Sequence, residues 1–295
     1  MLKKITVFTP TFNRAYCLHQ LYESLLRQSS KDFCWLVIDD GSTDTTKELV
    51  QSWVITAEIE IKYVYQDNQG MHGAHNTAYQ LIETELNVCI DSDDYMPDNA
   101  IQLILDKWSE VSNKENMAGI VGVDIFKDGK IVGAEIPDKL ASSTLYDLYY
   151  KYKISGDKKL VLRTEIVKEY PKYPLFGEER FVPLGILYLM IDQQYQLACL
   201  NKPLCVVEYL PDGSSRNIFK QYKKNPNGFR YSRIIELKYI KNFKISVLKV
   251  LHLISSTLFI GDYQFFKNNP RKWLTFICLP MGLLFHVYIL FKIKK

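Results

Sequence analysis

The first 110 residues repeat one pattern four times: a short, continuously apolar run ends abruptly in small, polar and acidic residues. Lys4–Pro10 (KITVFTP) leads into Thr11-Phe12-Asn13-Arg14, and Cys34–Asp39 (CWLVID) leads into Asp40-Gly41-Ser42-Thr43-Asp44. Ile61–Tyr65 precedes the polar stretch Asn68–Asn76, and Asn87–Ile90 precedes Asp91-Ser92-Asp93-Asp94. Helical patterns separate the runs, near Ala15–Gln28, Thr45–Trp53 and His75–Glu85, with another after Pro97. Continuous apolar strands alternating with helices predict an α/β domain whose mostly parallel sheet is covered by helices on both faces. Ligands of such sheets bind at the carboxyl ends of the strands, where all four polar clusters fall.

Beyond Gly119 the pattern loosens into short strands (GIVGVDIF, KIVGAEI) around an Asp128-Gly129 hairpin signal. A helix is expected over Phe181–Gln193, then two strands, Leu197–Leu200 and Leu204–Leu210. The chain of 295 residues is 47% hydrophobic and 24% charged, which excludes global disorder. A mean hydropathy of -0.12 excludes a polytopic membrane protein. The six cysteines are scattered, without a C-x-x-C pair, and are expected to be reduced and mostly buried. Met1–Pro10 holds only a strand-length apolar run, so no cleavable signal peptide is expected.

The net charge of +4 conceals two opposed halves. Residues 216–295 hold 16 Lys and Arg against two acids, Glu236 and Asp262, a local charge of +14. Residues 1–215 hold 21 basic and 31 acidic residues, a local charge of −10. The chain therefore divides, by charge, into a domain over 1–215 and a basic region over 216–295 that suits a polyanionic surface.

Carboxylates clustered directly after a buried strand repel one another and resist burial. A hard cation such as Mg²⁺ or Mn²⁺, held by one or two carboxylates and by substrate phosphates, resolves that repulsion. Each cluster has a plainer reading when taken alone. Thr9–Arg14 can be a helix start, Asp40–Asp44 a turn with an N-cap, and Asp91–Asp94 a cap for the helix after Pro97. His72 and His75 have no third ligand at zinc-site spacing and are read as acceptor-side or structural residues.

Taken as a set, T-P-T-F-N-R, D-D-G-S-T-D and D-S-D-D-Y-M-P-D, in this order and spacing, resemble the family 2 glycosyltransferases of the GT-A fold over roughly residues 3–210. The resemblance implies a GT-A, Rossmann-like sheet and an inverting transfer of sugar from a nucleotide diphosphate to an acceptor hydroxyl, with Mn²⁺ or Mg²⁺ as cofactor. It implies that Thr9, Thr11 and Arg14 line the nucleotide pocket and that Asp40, beside Asp39, contacts the base. Asn68, Gly70 and Asn76 would frame the third loop, Asp91 and Ser92 would meet the ribose or sugar, and Asp93 the metal. The family's base is an acid preceding an apolar helix, and Gly177-Glu178-Glu179-Arg180-Phe181 stands in that place. Glu-Glu replaces the usual Glu-Asp; Glu179, nearest the expected helix, is favoured, with Glu178 the alternative. Arg163, Tyr209, Asp212 and Ser214 sit where the family places acceptor or lid contacts.

Residues 216–249 interleave ten Lys or Arg with aromatics, which alone would suit nucleic acid. The apolar stretches that follow argue instead for an anionic membrane surface. Ile245–Ile260 carries Ser246, Lys249, His252 and Ser256 three or four apart, the pattern of an interfacial helix with one polar face. Trp273–Phe291 is uncharged, is flanked by Arg271-Lys272 and by Lys292, Lys294 and Lys295, and contains Pro280 and Gly282, which are expected to interrupt it. These features predict a peripheral or monotopic enzyme at the cytoplasmic face of the cell membrane, a single span being the alternative. Its expected partners are a UDP-sugar and a lipid-linked glycan acceptor, not nucleic acid. A dehydrogenase is disfavoured because no G-x-G-x-x-G follows the first strand. A non-catalytic sugar-nucleotide-binding scaffold is the second functional class.

Overall fold

The computed structural model of the chain describes residues 3–208 and 218–294. Its contacts divide it into two compact units, Met1–Lys172 with Ile191–Leu210, and Tyr173–Met190 with Pro211–Lys295. This division differs from the charge boundary at 215/216, because Tyr173–Met190 groups with the basic region.

The first unit is built on an eight-stranded sheet. In chain order its strands are β1 (Ile5–Thr11), β2 (Phe33–Asp39), β3 (Glu60–Tyr65), β4 (Leu86–Cys89), β5 (Met117–Ile125), β6 (Ser142–Ser143), β7 (Lys158–Arg163) and β8 (Gln196–Val206). They lie in the order β3-β2-β1-β4-β7-β5-β8-β6. The β3-β2-β1-β4 half is parallel throughout; β7 runs antiparallel to both neighbours, and β5 pairs parallel with β8. Every residue of β1 and β2 is buried, as expected for strands covered on both faces.

Helices α1 (Leu18–Leu26), α2 (Thr46–Thr56), α3 (Met71–Leu81) and α4 (Ala100–Glu110) follow the first four strands; α5 (Leu145–Tyr150) and α6 (Thr164–Glu169) are short. Helix α4 buries a periodic apolar stripe, Ala100, Ile101, Ile104 and Trp108, whereas the buried face of α3 includes His72 and His75 beside Ala74 and Ala78. Trp35 of β2 is fully buried beneath Trp53 of α2, which stacks on Tyr22 of α1 at 4.2 Å between ring centroids. Truncating such a core aromatic to Ala costs about 3–5 kcal/mol.

Three elements differ from the sequence expectation. The run KIVGAEI makes only one bridge, Ile125 to Ile131, because the Asp128-Gly129 turn closes a minimal hairpin. The two strands expected after Leu197 are one, β8, whose register shifts against β5 near Pro203 absorb the turn-like Asn201-Lys202-Pro203. The helix expected over Phe181–Gln193 is only α7 (Gly185–Ile191). Pro183 explains the late start, since it disfavours helix at the preceding residue and is itself tolerated only at a helix beginning.

The second unit joins Tyr173–Met190, which holds most of α7, to α8 (Ile218–Lys224), α9 (Pro226–Tyr239), α10 (Phe243–Ile260) and α11 (Lys272–Lys294). Its core is Leu237, Val250, Leu253, Ile254 and Cys278. Of the polar stripe expected on α10, Ser246 and Ser256 are buried and Lys249 and His252 half-buried, with Ser255 and Thr257 buried beside them, while the apolar Phe243 and Leu248 are exposed. The hydroxyls find partners there, Ser246 donating to Asn242 O and Thr257 to Leu253 O, so burial is compatible with polarity. Helix α11 runs unbroken through Pro280 and Gly282. Gly282 serves close packing instead, since a Cβ there would lie 2.5 Å from Ile254 Cδ1.

Candidate active site

Four loops meet at the carboxyl ends of β1–β4, and hydrogen bonds tie them into one frame. Asn13, in the left-handed region at φ 53°, accepts at Oδ1 from the amides of Thr43 (2.7 Å) and Asp44 (3.3 Å). Its own amide donates to Ser42 Oγ at 2.8 Å. Asn tolerates that backbone better than most residues, so one side chain satisfies both the turn and the bridge. The first loop also bonds the fourth and the second: Cys17 Sγ donates to Ser92 O (3.5 Å), and Ala15 N donates to Asp44 Oδ2 (3.1 Å). Partial burial opposes ionisation of Asp44, but hydrogen bonds from Thr46 and Ala15 hold its carboxyl below the usual range.

The second loop organises the third through two buried acids. Asp39, fully buried, accepts from Ser42 N at 2.8 Å and from Tyr63 Oη at 2.6 Å. Asp40 accepts from Gln66 Nε2 (2.6 Å), Gln69 N (2.9 Å) and Gly70 N (2.7 Å). Gly70 precedes α3, so the Asp40 carboxylate also sits at a helix N-terminus, where negative charge is favoured. Gly41 (φ 87°) lets the loops touch, since a Cβ there would lie 2.9 Å from Asn68 N.

The expected residues separate into three groups. Thr9 is fully buried, and its hydroxyl accepts from Trp35 Nε1 at 3.0 Å, which ties it into the sheet's packing. Asp39 and Asp40 have their carboxylates engaged in building the loops. Thr11, the last residue of β1, is buried, and its hydroxyl has no hydrogen-bond partner among the described residues. Asn68, Asp91 and Asp93 are half-buried side chains on the loops, Asn76 is half-buried within α3, and Arg14 lies 5.7 Å from the ring centroid of Tyr16. Gly70 supplies its amide, and Ser92 is buried with its carbonyl bonded. His72 and His75 are buried in α3; His75 Nδ1 lies 2.9 Å from Met71 O, and burial lowers its pKa.

In the fourth loop Asp94 turns inward. It accepts from Glu208 N at 3.1 Å, and burial foremost pushes its carboxyl up to about 7. Lys159 of β7 is the opposing charge; burial alone would lower its pKa, but Asp124, Asp94 and Asp91 outweigh that and hold it protonated. Among the described residues no three His, Cys, Asp or Glu side chains converge as a metal cage. Asp91 and Asp93 are carboxylates of the kind a hard cation takes when its other ligands come from phosphates and water.

The remaining expected residues lie elsewhere. Glu178 and Glu179 belong to the second unit. Arg163 is structural, donating to Lys114 O (2.5 Å) and Met117 O (3.1 Å) and pairing with Glu165. Tyr209, Asp212 and Ser214 lie outside the described residues. Sequence reading passed over Ser42, Tyr63, Gln66 and Lys159, and treated Asn13 only as part of a motif. Asn13 had a signal, a turn-prone residue between two loops; Lys159 had none, because β7 was not foreseen.

Comparison with known proteins agrees with this frame. Residues 6–152 match the model of glycosyl transferase family 2. A β-1,3-glucosyltransferase of Campylobacter jejuni that acts on GalNAc(5)-diNAcBac-PP-undecaprenol is 32% identical over 111 residues, 37% of this chain and 36% of the relative. TarP, a poly(ribitol-phosphate) β-N-acetylglucosaminyltransferase of Staphylococcus aureus, is 27% identical over 66% of this chain and 60% of its own. In chondroitin synthase of Escherichia coli the match spans only 15% of the relative's length. The crystal structure of S. aureus TarS 1–349 with UDP-GlcNAc superposes with a TM-score of 0.62 at 19% identity, covering 88% of this chain and 73% of that one. A mannosyltransferase of Pyrobaculum calidifontis with GDP-Man and Mn²⁺ gives a TM-score of 0.55 at 16% identity, covering 97% and 83%. With its motifs on the loops of a GT-A fold and its first half matched by the family model, the chain belongs to the family 2 glycosyltransferases.

Proposed function

We propose that the chain transfers a sugar, with inversion, from a UDP-sugar to a hydroxyl of a lipid-linked or polysaccharide acceptor in cell-surface glycan synthesis. The observation that carries this reading is the frame of four cross-bonded loops at the carboxyl ends of β1–β4, with the half-buried Asp91 and Asp93 on the fourth. Relatives supply its direction: TarS is seen with UDP-GlcNAc, and the Campylobacter enzyme is named for an undecaprenol-linked acceptor.

In this reading the second and third loops hold the nucleotide. Their geometry is set before binding because Asp39 and Asp40 already have their bonds, so little ordering remains to oppose association. Asp93, with Asp91 beside it, would hold Mn²⁺ or Mg²⁺, which when bound neutralises charge on the departing diphosphate. Inversion in one displacement requires a carboxylate to take the acceptor's proton, and the Glu178-Glu179 pair supplies it.

The same reading places the basic region at an anionic membrane. Among the described residues two helices, α10 and α11, are long and apolar enough to cross a bilayer. Helix α11 leaves Trp273, Ile277 and Leu284 more than two thirds exposed, with Arg271 and Lys272 at one end and Lys292 and Lys294 at the other. A helix lying flat on a membrane needs a polar face. Between Lys272 and Lys292 α11 has none, so immersion in the apolar layer suits it better.

The test is a panel of nucleotide sugars with Mn²⁺ or Mg²⁺ and a polyprenyl-linked acceptor, reading released nucleotide and product. Transfer from a UDP-sugar that falls at least 100-fold in Asp93→Asn supports the proposal. Donor binding without turnover for every sugar would favour the non-catalytic class.

A further inference from the structure

The helical unit carries more positive charge than its own acids balance, and a cluster between α9 and α10 shows where part of the excess lies. Arg233 Nη1 donates to Glu236 Oε2 at 2.7 Å within α9, and Lys249 Nζ of α10 donates to the other oxygen, Oε1, at 2.6 Å. All three side chains are less than one fifth exposed, Lys249 being the most exposed at 18%. Two cations therefore share one carboxylate where little water reaches, and buried charge is costly without compensation. The unit's other acids are engaged elsewhere. Tyr173–Met190 and Pro211–Lys295 contain Glu178, Glu179, Asp212, Glu236 and Asp262 as their acids. Asp262 pairs with Arg230, and the fully exposed Glu178 pairs with Arg180 at 3.4 Å. Glu179 caps α9, its Oε1 accepting from Asn227 N (3.0 Å) and its Oε2 from Gly228 N (2.9 Å). Asp212 lies outside the described residues.

The cluster also has donors without acceptors. Arg233 Nε is buried and has no hydrogen-bond partner among the described residues. The Phe229 ring covers the face of the guanidinium at 5.6 Å, so its edge is the part that hydrogen-bonds. Lys249 has three ammonium protons, and Glu236 accepts one of them. One turn further along α10, the His252 ring packs against Tyr222 of α8 (5.1 Å) and Phe285 of α11 (4.8 Å). Around Phe285, α11 exposes more than half of Leu284, Val287 and Phe291. A guanidinium edge and an ammonium match the oxygens of a phosphate, and the apolar residues nearby suit one carried on an apolar tail.

We propose that Arg233 and Lys249 form a phosphate-binding site within the helical unit, with Glu236 as the internal counter-ion that holds the two cations together. The site deepens the reading of a membrane-bound enzyme with a lipid-linked acceptor, and the identity of its ligand as a lipid phosphate rests on that reading. A phosphate free in solution has the same head chemistry and lacks only the tail, so the two sources are separated by the tail alone.

The experiment titrates farnesyl phosphate and inorganic phosphate into the full-length chain in a nonionic detergent, without divalent cations, by calorimetry and by thermal unfolding. Wild type is expected to bind farnesyl phosphate and to gain thermal stability from it. Lys249→Met should weaken binding about tenfold or more. Without ligand it should unfold no lower than wild type, because it leaves Arg233 and Glu236 as a balanced pair. Arg233→Met should weaken binding to a similar extent. A wild type that binds neither phosphate, or binding that survives in Lys249→Met, overturns the site. A Lys249→Met chain that unfolds well below wild type overturns it too, since the lysine would then be a structural ion pair. Farnesyl phosphate bound about tenfold more tightly than inorganic phosphate assigns a lipid; a smaller difference assigns a soluble phosphate, and the site stands in both cases. No nucleotide sugar enters these measurements. A chain that binds phosphate but turns over no donor fails the transfer reading alone, and one that transfers sugar but binds neither phosphate fails the site alone.

Discussion

Asn13 shows how much one side chain does at the candidate site. It occupies a left-handed turn and bridges the first loop to the second. Asn13→Ala removes those acceptor bonds and adds backbone strain, together about 1–3 kcal/mol. The expected outcome is a donor KM raised about tenfold with a smaller loss in kcat, measured by steady-state kinetics beside a denaturant curve. Asp192 gives a residue-scale pH dependence away from the site. It accepts from Leu145 N and Tyr146 N at the start of α5, and burial, against those bonds, pushes it up to about 6 from an ordinary 3.8. The folded chain thus holds this proton more tightly than the unfolded chain. Its stabilisation is fully present below pH 3.8 and is lost as pH rises through about 6. Asp192→Asn should flatten that part of the stability profile, an effect of order 1–3 kcal/mol in chemical denaturation between pH 4 and 7. An unchanged slope would contradict it. Motif reading identified the loops at this scale but not which side chains stay open, since Thr9 and Thr11, two apart on one strand, have different fates.

Among the elements, β7 decides the sheet's second half. Inserted antiparallel between β4 and β5, it brings Lys159 toward Asp91, Asp94 and Asp124. The pairing depends on Gly119 of β5, at φ +144°, where a Cβ would lie 1.9 Å from Val161 O. That neighbour is backbone and cannot swing aside, so Gly119→Ala should destabilise the first unit by more than about 3 kcal/mol. Thermal unfolding measures this, and a loss below 1 kcal/mol would show that the strand yields. The parallel half was legible because buried parallel strands read as unbroken apolar runs. The run Lys158–Arg163 was not, because half-buried strands in a mixed sheet carry weaker patterns. Helix lengths erred for a local reason, Pro183 at α7, and for a tertiary one at α11, where Pro280 is tolerated within a continuous helix.

For the whole molecule, the charge division and the contact division describe different properties. Charge separates an acidic domain from a basic region, while packing groups Tyr173–Met190 with that region. If α11 is immersed in lipid, full-length protein bound to phosphatidylglycerol vesicles should resist extraction by 1 M salt and by alkaline carbonate. Leu284→Glu with Ile277→Glu should then convert it to a salt-extractable state, because a charge in the apolar layer costs about 2.5–3.5 kcal/mol. Complete release of the unmodified chain by salt would show attachment by its cations alone. The sequence by itself determined the α/β class, the four loops of the nucleotide-sugar motif and the cationic, apolar end of the chain, because strand periodicity and charge are local properties of neighbouring residues. Only the tertiary structure decided which motif carboxylates are engaged, that Ser246 and Ser256 of α10 are buried, and that Glu179 caps a helix 47 residues away. Those outcomes depend on partners distant in the chain, and a hydrogen bond is assigned only when both its ends have been brought together in space.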